Sequence, residues 1–100
     1  MDRPATLLDQ VLETMREERS FARDLGVELV GVVGSVARGD AGPDSDIDLV
    51  YDVLKPNHLW PLLGLVADLE QKLGRRIDIV DRQMMRPEQW ASMARDLVPL

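Results

Sequence analysis

The chain has 100 residues, 18 of them acidic and 12 basic, for a net charge of -6 and a pI near 4.6. That length suits one domain spanning residues 1–100, burying roughly 60 to 70% of the surface its unfolded form would expose. The acidic balance removes bulk attraction for nucleic acid, and the absence of cysteine removes disulfides and thiolate metal sites. No apolar run approaches the roughly 20 residues of a membrane-spanning helix and no stretch reads as a signal peptide, so the expected compartment is the cytoplasm.

Thr6 and Asp9 form a capping pair, and Leu7, Leu8, Val11, Leu12, Met15, Ala22 and Leu25 recur at helical spacing until Gly26, which predicts an amphipathic first helix. Arg16, Glu17, Glu18, Arg19 and Arg23 read as its solvated face. Val27 to Val33 is rich in Val and Leu, ends at a glycine, and reads as a buried strand. Ser35 to Gly39 fits one short helical turn, and Ala41 to Ser45 is a Gly-Pro loop into a second strand from Ile47 to Val50. In that loop Asp40, Asp44 and Ser45 read as solubilising and capping residues, and His58 as a surface or capping residue at a helix start. Leu62, Leu63, Val66, Leu69 and Leu73 mark a helix stopped by Gly74, with Lys72 near the negative end of its dipole. Arg75 to Val80 alternates as a half-buried third strand, with Arg75 and Arg76 at the surface. Pro87 and Glu88 open a last helix carrying Trp90, Met93, Ala94 and Leu97; Met84, Met85, Trp90 and Met93 read as core, with an exposed apolar patch as the other reading. The order is α-β-α-β-α-β-α. It predicts an α/β fold with a mixed three-stranded sheet, a short extra edge being compatible, helices mainly on one face and carboxylates on the other.

The chemistry concentrates between Gly34 and Leu49. Gly34 and Ser35 form a turn whose N–H groups can cradle phosphate oxygens, Ser35 adding a hydroxyl and Gly34 allowing close approach. On a strand starting at Ile47, Asp46 and Asp48 point the same way while Ile47 and Leu49 point into the core. Two such carboxylates repel unless a cation joins them, and hard oxygen ligands select Mg²⁺ or Mn²⁺. Asp78 lies on the face opposite Ile77 and Ile79 and, if its strand neighbours the Ile47 strand, faces the same site. Each feature alone has an ordinary explanation as a turn, a strand end or an exposed strand position. Together they describe a site suited to in-line attack on phosphorus, with an NTP as donor and pyrophosphate leaving. Arg38 is open between a phosphate contact and a structural salt bridge.

The Gly-Ser turn, the step from Ser35 to Asp46, the Asp46-x-Asp48 pair and the later Asp78 resemble the DNA polymerase β-like nucleotidyltransferase superfamily. The wording Gly-Ser-Val-Ala-Arg-Gly-Asp, Ser-Asp-Ile-Asp-Leu and Leu73-Gly74-Arg75-Arg76-Ile77-Asp78-Ile79-Val80 resembles, within it, the minimal nucleotidyltransferase (MNT) antitoxins paired with HEPN-domain toxins. The resemblance implies the nucleotidyltransferase fold and a Mg²⁺-dependent transfer of AMP from ATP to a tyrosine of a HEPN RNase toxin, with which the chain would form a hetero-oligomer. It also implies that Gly34 and Ser35 hold the triphosphate and that Asp46 and Asp48 ligate metal. Asp78 would complete the metal site and act as or near the base. Val36 stands where the family often has a polar residue, leaving Arg38 as the nearest cationic candidate. Two other readings stay open on the residues: an antitoxin that neutralises its toxin by binding alone, and a nucleotidyltransferase that modifies a small molecule with a partner subunit. Direct nucleic-acid binding and a membrane are not expected.

Overall fold

The computed structural model describes residues 6–100. Its elements are α1 (Leu7–Leu25), β1 (Val27–Val33), α2 (Gly34–Arg38), β2 (Ile47–Val53), α3 (Leu59–Leu73), β3 (Ile77–Asp81), a 3-10 turn (Arg82–Met84), α4 (Pro87–Ala94) and β4 (Val98–Pro99). The expected capping box closes α1: Thr6 Oγ1 accepts from the Asp9 N–H and Asp9 Oδ2 accepts from the Thr6 N–H, both at 3.1 Å. Gly26, at φ 104°, ends the helix in the left-handed conformation that only glycine takes without strain.

The strands form one mixed sheet in the order β3-β2-β1-β4, with β2 and β3 parallel and the other pairs antiparallel. Helix α3 supplies the crossover that a parallel pair requires. Ile47, Leu49 and Tyr51 of β2 pack with Val11 and Met15 of α1 and Leu62 and Leu69 of α3 in a single buried cluster. Complete burial of an aliphatic side chain is worth roughly 1.5–3 kcal/mol, so this layer carries most of the fold. The alternation of β2 then turns Asp48 to the other face of the sheet.

The fourth strand is the short extra edge. Val98 and Pro99 carry little local strand signal; what makes them a strand is pairing with Val32 and Gly31 of β1. Gly31 is required there because a Cβ would run into the Val98 carbonyl and the Pro99 backbone. Three other boundaries differ from the sequence reading. Strand β2 runs on to Val53, β3 spans Ile77–Asp81, and α3 begins at Leu59, with Pro61 tolerated in its first turn. His58 occupies the N-cap position without a side-chain capping bond, and its ring lies 6.3 Å from that of Tyr51. The last helix does not enter the core: α4 has no buried residue, and Met84 is 82% exposed, so the core reading of that group is corrected. No described helix is long and apolar enough to cross a membrane.

Candidate active site

Where β1 ends, the chain turns at Gly34 with φ 78° and enters α2, which Gly39 closes at φ 82°. A Cβ on Gly34 would collide with a carboxylate oxygen of Asp48, so this backbone lies directly against that side chain. Strand register produces the approach. Val33 pairs with Asp48 across β1 and β2, and Asp48 pairs with Asp78 across β2 and β3. Adjacent strands place paired residues on one face, so Asp48 and Asp78 point the same way. Asp46 precedes β2 by one residue, and the Ile47 N–H donates to the Arg76 carbonyl at 2.9 Å, extending the parallel ladder to the edge of the site.

Asp48 is the electrostatic centre. Its carboxyl is held above the ordinary value, first by burial and then by the neighbouring carboxylates of Asp78 and Asp46, while Arg38 pulls the other way. Burial and like charge both disfavour the anion, and a cation or a shared proton is the usual resolution. Among the described residues no three histidine, aspartate or glutamate side chains come together in a group that could hold a metal ion. An open set of carboxylate oxygens still fits a hard divalent ion whose remaining ligands come from water and substrate phosphates.

A cavity of about 690 Å³ opens beside Asp48, within the range of small-ligand sites. Val33, Gly34, Arg38 and Asp48 line one side of it, and Met85, Glu88, Gln89, Ser92, Met93 and Asp96 the other. Arg38 makes the structural salt bridges that were one of the two readings offered for it. Its Nη1 donates to Asp96 at 2.9 Å and its Nε to Asp40 at 3.2 Å, yet the residue stands on the cavity wall. Those hydrogen bonds, Asp96 foremost, raise the guanidinium pKa and keep it charged.

The remaining candidates sit at the margin. Ser35 is half-buried at the start of α2, outside the cavity lining, with its carbonyl accepting from the Asp40 N–H at 3.0 Å. Asp78 is exposed on β3. Asp46 lines a separate depression of about 480 Å³ with Pro43, Asp44, Ser45, Gly74, Arg75 and Arg76. The structure thus brings Gly34, Arg38 and Asp48 onto one cavity, with Asp78 in register beside Asp48 and Asp46 near enough to Asp48 for its charge to be felt there.

Sequence reasoning missed two contributions. Arg75 is not a mere surface flank: its Nη1 donates to the carbonyls of Gly42 and Ser45, both at 2.9 Å, and so pins the loop that presents Asp46. Ser45 does cap that loop, its Oγ accepting from the Gly42 N–H at 2.9 Å. The α4 wall was the other omission, although Glu88, Gln89, Ser92 and Met93 fall on one helical face, a stripe visible in the sequence.

The family model described as nucleotidyltransferase domain matches residues 8–97. The protein adenylyltransferase MntA of Thermococcus cleftensis is 34% identical over 92 residues, which cover 91% of this chain and 93% of that protein. A protein of Methanocaldococcus jannaschii with a protein adenylyltransferase designation is 27% identical over 95 residues, 91% of this chain and 95% of its own length. A solved structure described as a minimal nucleotidyltransferase superposes with a TM-score of 0.75 at 34% identity, covering 99% of this chain and 100% of that one.

Proposed function

The chain belongs to the nucleotidyltransferase domain family and is a nucleotidyltransferase, and from that premise we propose that it transfers AMP from ATP to a tyrosine hydroxyl of a cognate HEPN-domain RNase toxin, silencing it as an antitoxin. One observation carries the reading: the carboxylate of Asp48 is packed against Gly34, faces Asp78 in strand register and opens onto a cavity that also holds Arg38. A cavity that places a bare backbone turn, a guanidinium and the Asp48 carboxylate together suits a triphosphate and its counter-ion. The protein adenylyltransferase designation of the Thermococcus relative supports a protein as acceptor.

In this proposal Asp46, Asp48 and Asp78 hold Mg²⁺, with Mn²⁺ as a substitute. A divalent ion held there would supply charge neutralisation for the triphosphate. Gly34 and Ser35 offer backbone N–H groups to phosphate oxygens, and Arg38 balances their charge. The tyrosine oxygen attacks the α-phosphorus and its proton passes to the Asp78 carboxylate. The bond from the α-phosphorus to the oxygen bridging to the β-phosphorus breaks, and pyrophosphate leaves with that electron pair. The acidic chain also complements a basic, RNA-cutting partner, which favours a stable hetero-oligomer in the cytoplasm.

Intact-mass spectrometry of a candidate HEPN-domain partner, after incubation with this chain, ATP and Mg²⁺, tests the proposal. Mass additions of AMP units are expected, and Asp46→Asn/Asp48→Asn should reduce their rate at least about 100-fold. A stable complex with no addition would remove the catalytic assignment and leave neutralisation by binding alone.

A further inference from the structure

The cavity beside Asp48 has two chemically different walls. Gly34, Arg38 and Asp48 offer bare backbone and charge. The wall from α4 and the residue leading into it presents Met85, Glu88, Gln89, Ser92 and Met93, with no cation among them. Glu88, Gln89, Ser92 and Met93 fall on one face of α4, and Met85 stands in the extended segment before it. Trp90, which is not on this wall, instead has Arg82 over its ring, 5.7 Å from the centroid. Because α4 has no buried residue, core packing does not explain why two methionines stand on the cavity side.

Such a wall is unsuited to phosphates and well suited to a flat heteroaromatic ring. Thioethers pack favourably against aromatic rings. Gln89, which lines the same cavity as the two methionines, carries an amide that combines an acceptor and a donor. That pair matches adenine, which offers its N6 amine as donor and N7 as acceptor. Guanine presents O6 where adenine has the amine, so it would set an acceptor against the glutamine oxygen. Gln89 Oε1 already accepts from the Arg86 N–H at 3.3 Å, which fixes the side chain at the start of α4. The oxygen's second lone pair and both amide hydrogens remain for a ligand.

Resting on the nucleotidyltransferase reading, we infer that the α4 wall is the nucleobase subsite, which takes the purine ring against Met85 and Met93 and selects adenine through Gln89. The triphosphate then extends across the cavity toward Gly34, Arg38 and Asp48. Specificity for the nucleotide and the chemistry of transfer thereby reside on different elements.

Calorimetric titration of the full chain with ATP, GTP and inorganic triphosphate in Mg²⁺ tests this. The wild type should bind ATP about tenfold more tightly than GTP, and Gln89→Leu should bring the two together, since a bidentate base contact is worth about that factor or more. Met85→Ala/Met93→Ala should weaken ATP and GTP alike, about tenfold, and leave inorganic triphosphate unchanged. Both sets of positions lie outside the core, and the triphosphate titration checks in each variant that the rest of the site is intact. Unchanged ATP affinity and unchanged ATP-to-GTP ratio in the variants would overturn the subsite while leaving the transferase reading standing. A parallel loss of ATP and triphosphate binding would also overturn it. A wild-type chain that bound neither ATP nor triphosphate would overturn both.

Discussion

Helices α3 and α4 each follow a strand and each carry apolar residues at helical spacing, yet one belongs to the core and the other to the site. Helix α3 buries Leu62, Leu65, Val66 and Leu69. Helix α4 buries nothing, and the contacts around it are of a different kind: Asp96, just past its end, bonds Arg38, and Trp90 lies beneath Arg82, which Asp52 holds at 2.7 Å. Exposed ion pairs are worth at most about 1 kcal/mol each, against roughly 1.5–3 kcal/mol for each fully buried aliphatic side chain. The comparison teaches that apolar periodicity names a face without naming what covers it. On α3 that face meets the sheet; on α4 it meets an open cavity and is available to a ligand.

Truncation of each helix should expose this difference most strongly. Leu69→Ala in α3 is expected to cost about 3 kcal/mol in urea denaturation, because Leu69 is wholly buried and the site cannot fully collapse. Met93→Ala in α4 should cost under about 1 kcal/mol in the nucleotide-free protein. Equal losses would break the comparison and return α4 to the core.

A smaller effect marks where the core face meets its charged margin. Glu28 accepts from Arg23 Nε at 2.6 Å and Arg19 Nη2 at 2.9 Å. The Arg23 hydrogen bond, opposed by burial and reinforced by Arg19, lowers its carboxyl from 4.5 to about 2. A carboxyl lowered by folding contributes stability that is present above its unfolded value of 4.5 and is lost as the pH falls toward 2. After solvent screening that contribution is about 1 kcal/mol. Urea midpoints of wild type and Glu28→Gln should therefore differ near neutrality and converge between pH 4.5 and 2. Parallel curves down to that limit would show that the ion pair adds nothing.

Much of this architecture was legible because it rests on local rules. The Thr6 cap, the Gly26 and Gly74 stops and the start of β2 at Ile47 depend on neighbours within a few residues. Asp48 and Asp78 were legible as a pair because strand alternation fixes their face and the crossover helix makes their strands parallel neighbours. Strand β4 was visible only as a compatible edge, since Val98 and Pro99 become a strand through the partner strand that Gly31 brings close. Arg75 was misread for the same reason: its acceptors lie 30 and 33 residues away. The methionines near α4 were read as core because thioethers are core residues in most settings, and the cavity between α4 and the sheet arises only when distant elements meet.

The smallest effect expected has the opposite sign to that of Leu69→Ala. Asp48 is half-buried beside Asp78 and Asp46, and its carboxyl is held above the ordinary value by burial and by their charge. A carboxyl raised by folding opposes folding at neutral pH, because the native state must hold an anion that it disfavours. Asp48→Asn keeps the shape and removes the charge. In chelator-treated protein it should therefore raise stability by a few tenths of a kcal/mol, up to about 1, while the proposed role of Asp48 predicts a loss of transferase activity. A residue that contributed through core packing would show both losses together. A fall in the urea midpoint of this variant would mean that the Asp48 carboxylate is held by favourable bonds, and the electrostatic strain assigned to the site would have to be withdrawn.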